Sequence, residues 1–133
     1  MDQEMINVEE GKYAIHVQTM KKEDDETSAM EEYLSQYAIV NNQDNLLTLA
    51  LLLENQEIIV GFQIKDVSGE YIQAKDQQIN HETAQRMEAF ELNALPAILD
   101  ARVQYEVAQA DRTFKGDEFL RLVFTEDSLE KME

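Results

Sequence analysis

Val103-Gln104-Tyr105-Glu106-Val107 alternates apolar and polar side chains, and a little further on Phe119-Leu120-Arg121-Leu122-Val123-Phe124 puts Leu120, Leu122 and Phe124 at every second position. A β-strand turns successive side chains to opposite faces, so this spacing predicts two strands, each with one buried face. Working outward, the same period recurs in Tyr13-Ile15-Val17, in Tyr37–Val40, in Ile58–Ile64, in Tyr71–Lys75 and in Met87–Leu92. Leu46–Leu53 is apolar on both faces, as expected of a central strand. Turn-forming residues separate these runs, notably Asn41-Asn42-Gln43-Asp44-Asn45 and Ser68-Gly69. About eight short strands with turns between them predict an all-β, immunoglobulin-like antiparallel β-sandwich. The Cys…Trp…Cys core of antibody domains is absent. One segment breaks the period: in Thr27-Ser28-Ala29-Met30-Glu31-Glu32-Tyr33, Ser28 and Glu31 form a capping box, and Met30, Tyr33, Leu34 and Tyr37 recur at helical spacing. This predicts a short helical lip projecting from the sandwich.

The chain has 133 residues, of which 44% are hydrophobic, with one proline and four glycines. That suits one ordered domain large enough to need no covalent staple. The expected division is a tail over 1–10, the domain over 11–126 and an acidic tail over 127–133. Zero cysteines exclude disulfides, thiol catalysis and thiolate metal sites. The longest apolar run, Leu49–Leu53, is far below the ~20 residues that cross a bilayer, and Met1–Glu10 lacks a signal peptide's basic and apolar regions. The expectation is a soluble domain without membrane insertion. With 11 basic against 28 acidic residues, the net charge of −17 repels phosphate backbones and anionic lipid, which excludes nucleic acid as a partner. The cluster Glu23-Asp24-Asp25-Glu26 lacks the ligand spacing and glycine of a calcium loop and reads as solvated.

Enzyme chemistry finds little support. His16 alternates within the first strand and His81 lies in a polar turn, so no paired histidine site is indicated. There is no Gly-rich phosphate loop, no GxSxG elbow and no HExxH. A binding domain is expected rather than an enzyme.

Several of these segments together resemble the NEAT (near iron transporter) family, whose members Gram-positive bacteria display or secrete to bind haem or haemoproteins. Gly11-Lys12-Tyr13-Ala14-Ile15-His16-Val17 is similar to its first strand, and Ser28-Ala29-Met30-Glu31-Glu32-Tyr33 to its Ser-x-Met-x-x-Tyr lip. Ile58-Ile59-Val60-Gly61-Phe62 matches a strand with an apolar corner. Thr83-Ala84-Gln85-Arg86 leading into Met87–Leu92 fits, as does Val103-x-Tyr105-x-Val107 feeding a final hairpin. The resemblance covers about Gly11 to Glu126, and it implies haem-iron acquisition by a secreted or cell-wall-attached domain, with other NEAT domains as partners in a relay.

It also implies a site. In the family, the first tyrosine of a Tyr-x-x-x-Tyr motif in the hairpin holds the iron and the second hydrogen-bonds it. Here no tyrosine follows Tyr105. Aligned back from Phe124 the two positions fall on Phe114 and Glu118; aligned forward from Val107 they fall near Arg112 and Gly116. Phenylalanine cannot coordinate iron, so the usual ligation is missing. What remains of the implied pocket is Ser28, which in the family hydrogen-bonds a propionate, Met30 and Tyr33 from the lip, Ile58 and Ile59, and Val103, Tyr105, Val107 and Phe114 from the hairpin. Tyr105 is the candidate metal residue, as a displaced ligand or as a plug filling the cavity; Met30 ligation would favour ferrous iron. Two functions follow: a haem-binding domain with non-standard ligation, or a NEAT-fold module that has lost haem and binds a haemoprotein or another partner. The lip carries Ala29, Glu31 and Glu32 where haemoglobin-binding members carry aromatics, which counts against haemoglobin. Haem propionates would need Lys21, Lys22, Arg112 or Lys115 near the mouth.

Overall fold

Strand pairing accounts for nearly all the regular structure. The computed structural model describes residues 5–21, 33–44, 46–54, 58–65 and 69–132. Among these, eleven strands form: β1 (Met5–Ile6), β2 (Gly11–Lys21), β3 (Tyr37–Gln43), β4 (Leu46–Leu53), β5 (Ile59–Lys65), β6 (Tyr71–Gln73), β7 (Asp76–Asn80), β8 (Gln85–Leu92), β9 (Leu95–Pro96), β10 (Ile98–Gln109) and β11 (Arg112–Lys131). Nine of them make one antiparallel sheet in the order β6-β5-β10-β11-β2-β3-β4-β8-β7, and β1 pairs with β9.

That sheet curls onto itself. Phe62 on β5 and Phe90 on β8 stand near opposite ends of the strand order, yet their ring centroids are 6.1 Å apart. The Arg86 guanidinium of β8 likewise donates to the Ile59 carbonyl of β5, 3.1 Å away. The inward face takes the period-two residues Ile15 and Val17, Leu120, Leu122 and Phe124, joined by Leu47, Leu49, Leu51 and Leu53 from the run read as apolar on both faces; all are buried, while Leu46 on the other side of that run is exposed. Ile6 and Val8 join this core from the start of the chain, and β11 still pairs with β2 at Lys131.

The strand expectations hold where alternation is long, and short or exposed strands go beyond them. β7 is exposed along its whole length and offers no apolar face to the period-two test. The expected turn at Asn41–Asn45 shrinks, because β3 continues through Gln43 and the chain reverses at Asp44, with φ +56°. The Thr27–Glu32 part of the expected helical lip lies outside the described residues. Tyr33 stands at its exit, its carbonyl accepting from Glu54 N at 2.7 Å, while Leu34 bridges to Leu53.

Two charged residues share the inward face. Arg86 and Glu88 stand opposite Leu53 and Leu51, and Glu88 is 1% exposed. Gln77 donates to Glu88 Oε1 at 2.6 Å, whereas Glu88 Oε2 and Arg86 Nε have no protein partner. Burial pushes the Glu88 carboxyl above its ordinary range, outweighing the Arg86 charge and the Gln77 hydrogen bond, both of which pull it down. A carboxyl raised in the fold binds its proton more tightly there than in the unfolded chain. Its contribution therefore favours folding below the ordinary value of 4.5 and is lost as pH rises through the raised value. Urea unfolding of wild type and Glu88→Gln, run in parallel from acid to neutral pH, should show the variant gaining on wild type as pH rises; a constant difference would contradict this assignment.

Candidate functional site

The β10–β11 hairpin pairs without a slip from Ile98↔Val123 to Gln109↔Arg112, closed by the two-residue turn Ala110-Asp111. Ala110 adopts φ +53°, a conformation that side-chain-bearing residues seldom take and that two-residue hairpin turns require. The outward face is tied by Arg102, which pairs with the Asp117 carboxylate through two hydrogen bonds and lies 5.4 Å over the Phe119 ring. This exposed pair holds Asp117 below the ordinary aspartate range through the Arg102 hydrogen bond.

The opposite face carries the candidate site. Cross-strand partners in an antiparallel ladder share a face, so Val103↔Glu118, Tyr105↔Gly116 and Val107↔Phe114 all point the same way as Ala101↔Leu120 and Leu99↔Leu122. Burial falls off along this row. Leu99, Ala101, Val103, Leu120 and Leu122 are sealed in the core, Tyr105, Val107 and Glu118 are half-buried, and Phe114 is 51% exposed. The face is therefore core at its base and an open apolar surface towards the tip.

β5 extends it on one side. Val103 pairs with Phe62 and Gln104 with Gly61, but Tyr105 pairs with Ile59, because Val60 is an extra, bulged residue. The bulge turns Val60 outward and Ile59 inward, beside Tyr105. Gly61 leaves room for the Gln104 side chain, whose Oε1 would lie 2.7 Å from an added Cβ.

Tyr105 is held across the hairpin. Its ring lies directly on Gly116, so that a Cβ built at residue 116 would fall within the ring atoms, and its hydroxyl donates to Glu118 Oε1 at 3.4 Å. Burial raises the phenol above the ordinary tyrosine value, helped by the Glu118 charge, by that hydrogen bond and, least, by the nearby Tyr33. Tyr33, at the start of the described stretch 33–44, is therefore near enough to Tyr105 for its charge to be felt there.

Of the residues expected at the site, Tyr33, Ile59, Val103, Tyr105, Val107 and Phe114 gather on or beside this face. Ile58 packs against the core at the entry to β5. Ser28 and Met30 lie outside the described residues. Arg112 shares the parity of Phe114 at the hairpin tip and is exposed, whereas Lys115 points to the other face and pairs with Glu106 at 3.5 Å. Glu118 and Gly116 entered the sequence reading only as alignment positions; counting by twos from Phe124 would have placed both on this face. His16 stacks edge-on against Tyr37 at 5.6 Å and His81 lies in the exposed β7–β8 turn. Among the described residues no cluster of three or more His, Asp or Glu side chains is arranged to hold a bare metal ion.

The sandwich thus leaves one hairpin face half open towards its tip. The comparisons give this sandwich its family: residues 7–127 match the NEAT family, the iron transport-associated domain, and the chain belongs to it. It shares the immunoglobulin-like sandwich with the NEAT5 domain of IsdX2, a B. anthracis hemophore, in complex with heme, at 26% identity and a TM-score of 0.78 over 88% of this chain and 97% of that one. A point mutant of the same IsdX2 domain, also in complex with heme, gives 25% identity and a TM-score of 0.78 over 89% and 97% of the two chains. A search of curated proteins found no match.

Gly116→Ala tests the seat of Tyr105. The added methyl must displace the ring, at a cost of about 1–3 kcal/mol in unfolding free energy. With burial the largest cause of its upward shift, the Tyr105 phenol should titrate closer to an ordinary tyrosine, read by ultraviolet titration with Tyr105→Phe as the reference for assignment.

Proposed function

We propose that this domain binds haem in iron acquisition, at the cell surface or in secreted form, with an iron contact that uses no tyrosine of β11. The observation that carries this reading is the row Val103, Tyr105, Val107 and Phe114, an apolar strip open at the tip of a hairpin in a chain of the NEAT family, whose structural neighbours include haem-bound domains. A flat, largely apolar macrocycle suits a strip of this kind, and Tyr33 and Ile59 border it.

The residues present fit the group. Gly116 seats the Tyr105 ring, and the Tyr105 hydroxyl and Glu118 carboxylate bring two oxygens together on this face. Bound haem would supply an iron for an oxygen ligand, and Tyr105 and Glu118 are the residues that would hold it, where no bare-ion cluster exists among the described residues. Oxygen donors favour the ferric state, and the hydrogen-bonded pair Tyr105–Glu118 would supply the oxygen. The other chain residues have simpler roles. Val103, Val107, Phe114, Ile58 and Ile59 would exclude water and Arg112 at the tip would offset propionate charge, while by resemblance to the family Met30 and Tyr33 would cover the macrocycle and Ser28 would donate to a propionate. The domain proposed for this role is 11–126, to which Ile6 and Val8 add core packing from before it and β11 adds pairing with β2 as far as Lys131 after it.

Haemin mixed with the protein and passed through gel filtration tests the reading. The expected result is a Soret band that travels with the protein and weakens by roughly tenfold or more in affinity in Tyr105→Phe. Featureless elution of wild type would overturn it and favour a protein-binding module built on the same fold.

A further inference from the structure

Between Arg112 at the tip and Leu122, the inner row of β11 carries one acidic residue. Glu118 sits between Gly116 and Leu120 in this even-numbered row, opposite Val103, half-buried where the buried base of the face gives way to its open tip. The partner given by the described residues is a neutral phenol at 3.4 Å.

We infer that Glu118 is the iron ligand of this site and that Tyr105 is its positioning hydrogen-bond donor, an inference that rests on the haem-binding reading above. The geometry assigns the two roles in that order. The Tyr105 ring is pinned over Gly116, and from there its hydroxyl is directed along β11 to Glu118 Oε1. An O–H group engaged in donating to a carboxylate presents no anion of its own. The carboxylate has a second oxygen, Oε2, and accepts up to four hydrogen bonds or metal contacts, so one oxygen can hold the phenol while the other meets the metal. The chemistry of the two groups points the same way. Ferric iron is served by a hard oxygen ligand, and Glu118 offers a carboxylate oxygen beyond the one that holds the phenol.

The pair thus rebuilds, with different side chains, an anionic oxygen steadied by an adjacent hydroxyl. The hydroxyl moves from β11 to β10 and the anion becomes a carboxylate. Phe114, which cannot coordinate, is left as apolar cover at the mouth.

Absorption and resonance Raman spectra of ferric haemin bound to wild type, Glu118→Gln, Glu118→Ala and Tyr105→Phe decide the matter. Wild type should show a ferric spectrum without iron–phenolate charge-transfer or vibrational bands. Tyr105→Phe should keep that spectrum with roughly tenfold weaker binding, the cost of losing an outer hydrogen-bond partner. Glu118→Gln should lose more than that and change the spectrum, and added acetate should restore the wild-type spectrum to Glu118→Ala. In the haem-free protein, Glu118→Gln should also bring the Tyr105 phenol down towards an ordinary tyrosine, a readout independent of haem. Iron–phenolate bands in wild type that vanish in Tyr105→Phe would overturn the assignment, as would an unchanged spectrum in Glu118→Gln. Failure of wild type to retain haemin would overturn the proposed function itself, a result distinct from both.

Discussion

The unbroken antiparallel ladder between β10 and β11 fixes every side chain of the candidate site. With a side-chain period of two, a slip of one residue would move Tyr105, Phe114 and Glu118 to the outer face and turn Arg102 and Asp117 into the core. Several features oppose the slip together. Leu99 and Ala101 against Leu120 and Leu122 bury the base of the inner face, the short turn at Ala110-Asp111 sets the loop length, and the Arg102–Asp117 pair with Phe119 beneath it marks the outer face. Buried apolar area carries most of the energy of such a choice, while the exposed ion pair contributes mainly to selecting the register.

That ladder has a definite surface to work against because the sheet closes. Phe62 and Phe90 meet across the interior, and Arg86 reaches from β8 to the carbonyl of Ile59. The second contact falls at the β5 bulge, the place where Ile59 is turned inward beside Tyr105. The opposite layer of the sandwich thus holds the local irregularity that shapes the site wall. A charged side chain is suited to this, since a guanidinium spans the core with an apolar stem and ends in a donor for a backbone oxygen freed by the bulge.

How much of this was legible in the sequence depends on the signal each feature leaves. Alternating runs such as Val103–Val107 and Phe119–Phe124 report their buried face directly, because a one-sided strand must alternate, whereas Leu46–Leu53, apolar on both faces, does not say which set turns inward. β7 has no buried face and leaves no periodic trace; it is read only once β8 is there to pair with it. Parity counted back from Phe62 would put Val60 inward and Ile59 outward, and the bulge reverses both, which no period-two rule anticipates. The hairpin register stayed open between two alignments, yet both put the residues in question at even positions, so the face was determined before the register was. The contact between Tyr105 and Glu118 was not legible, because it arises from a diagonal across the ladder and from a missing side chain at Gly116.

Two carboxylates break the apolar rule on inward faces, and the contrast between them separates a structural solution from a functional one. Glu88 is sealed at 1% exposure, its partners Gln77 and Arg86 come from the same part of the sheet, and its own carboxyl is pushed up by burial. Such a group, with Gln77 on one oxygen and burial holding its carboxyl above the ordinary range, lies where no solute can reach it. Glu118 breaks the same rule where the face opens, with a phenol for a partner and with Phe114 exposed beside it. A strip meant only to be covered by another apolar surface would be served better by a leucine or valine at this position. Local violations of pattern that are not resolved inside the protein concentrate at sites completed by a ligand, and of the two glutamates only Glu118 stands where a ligand can complete it.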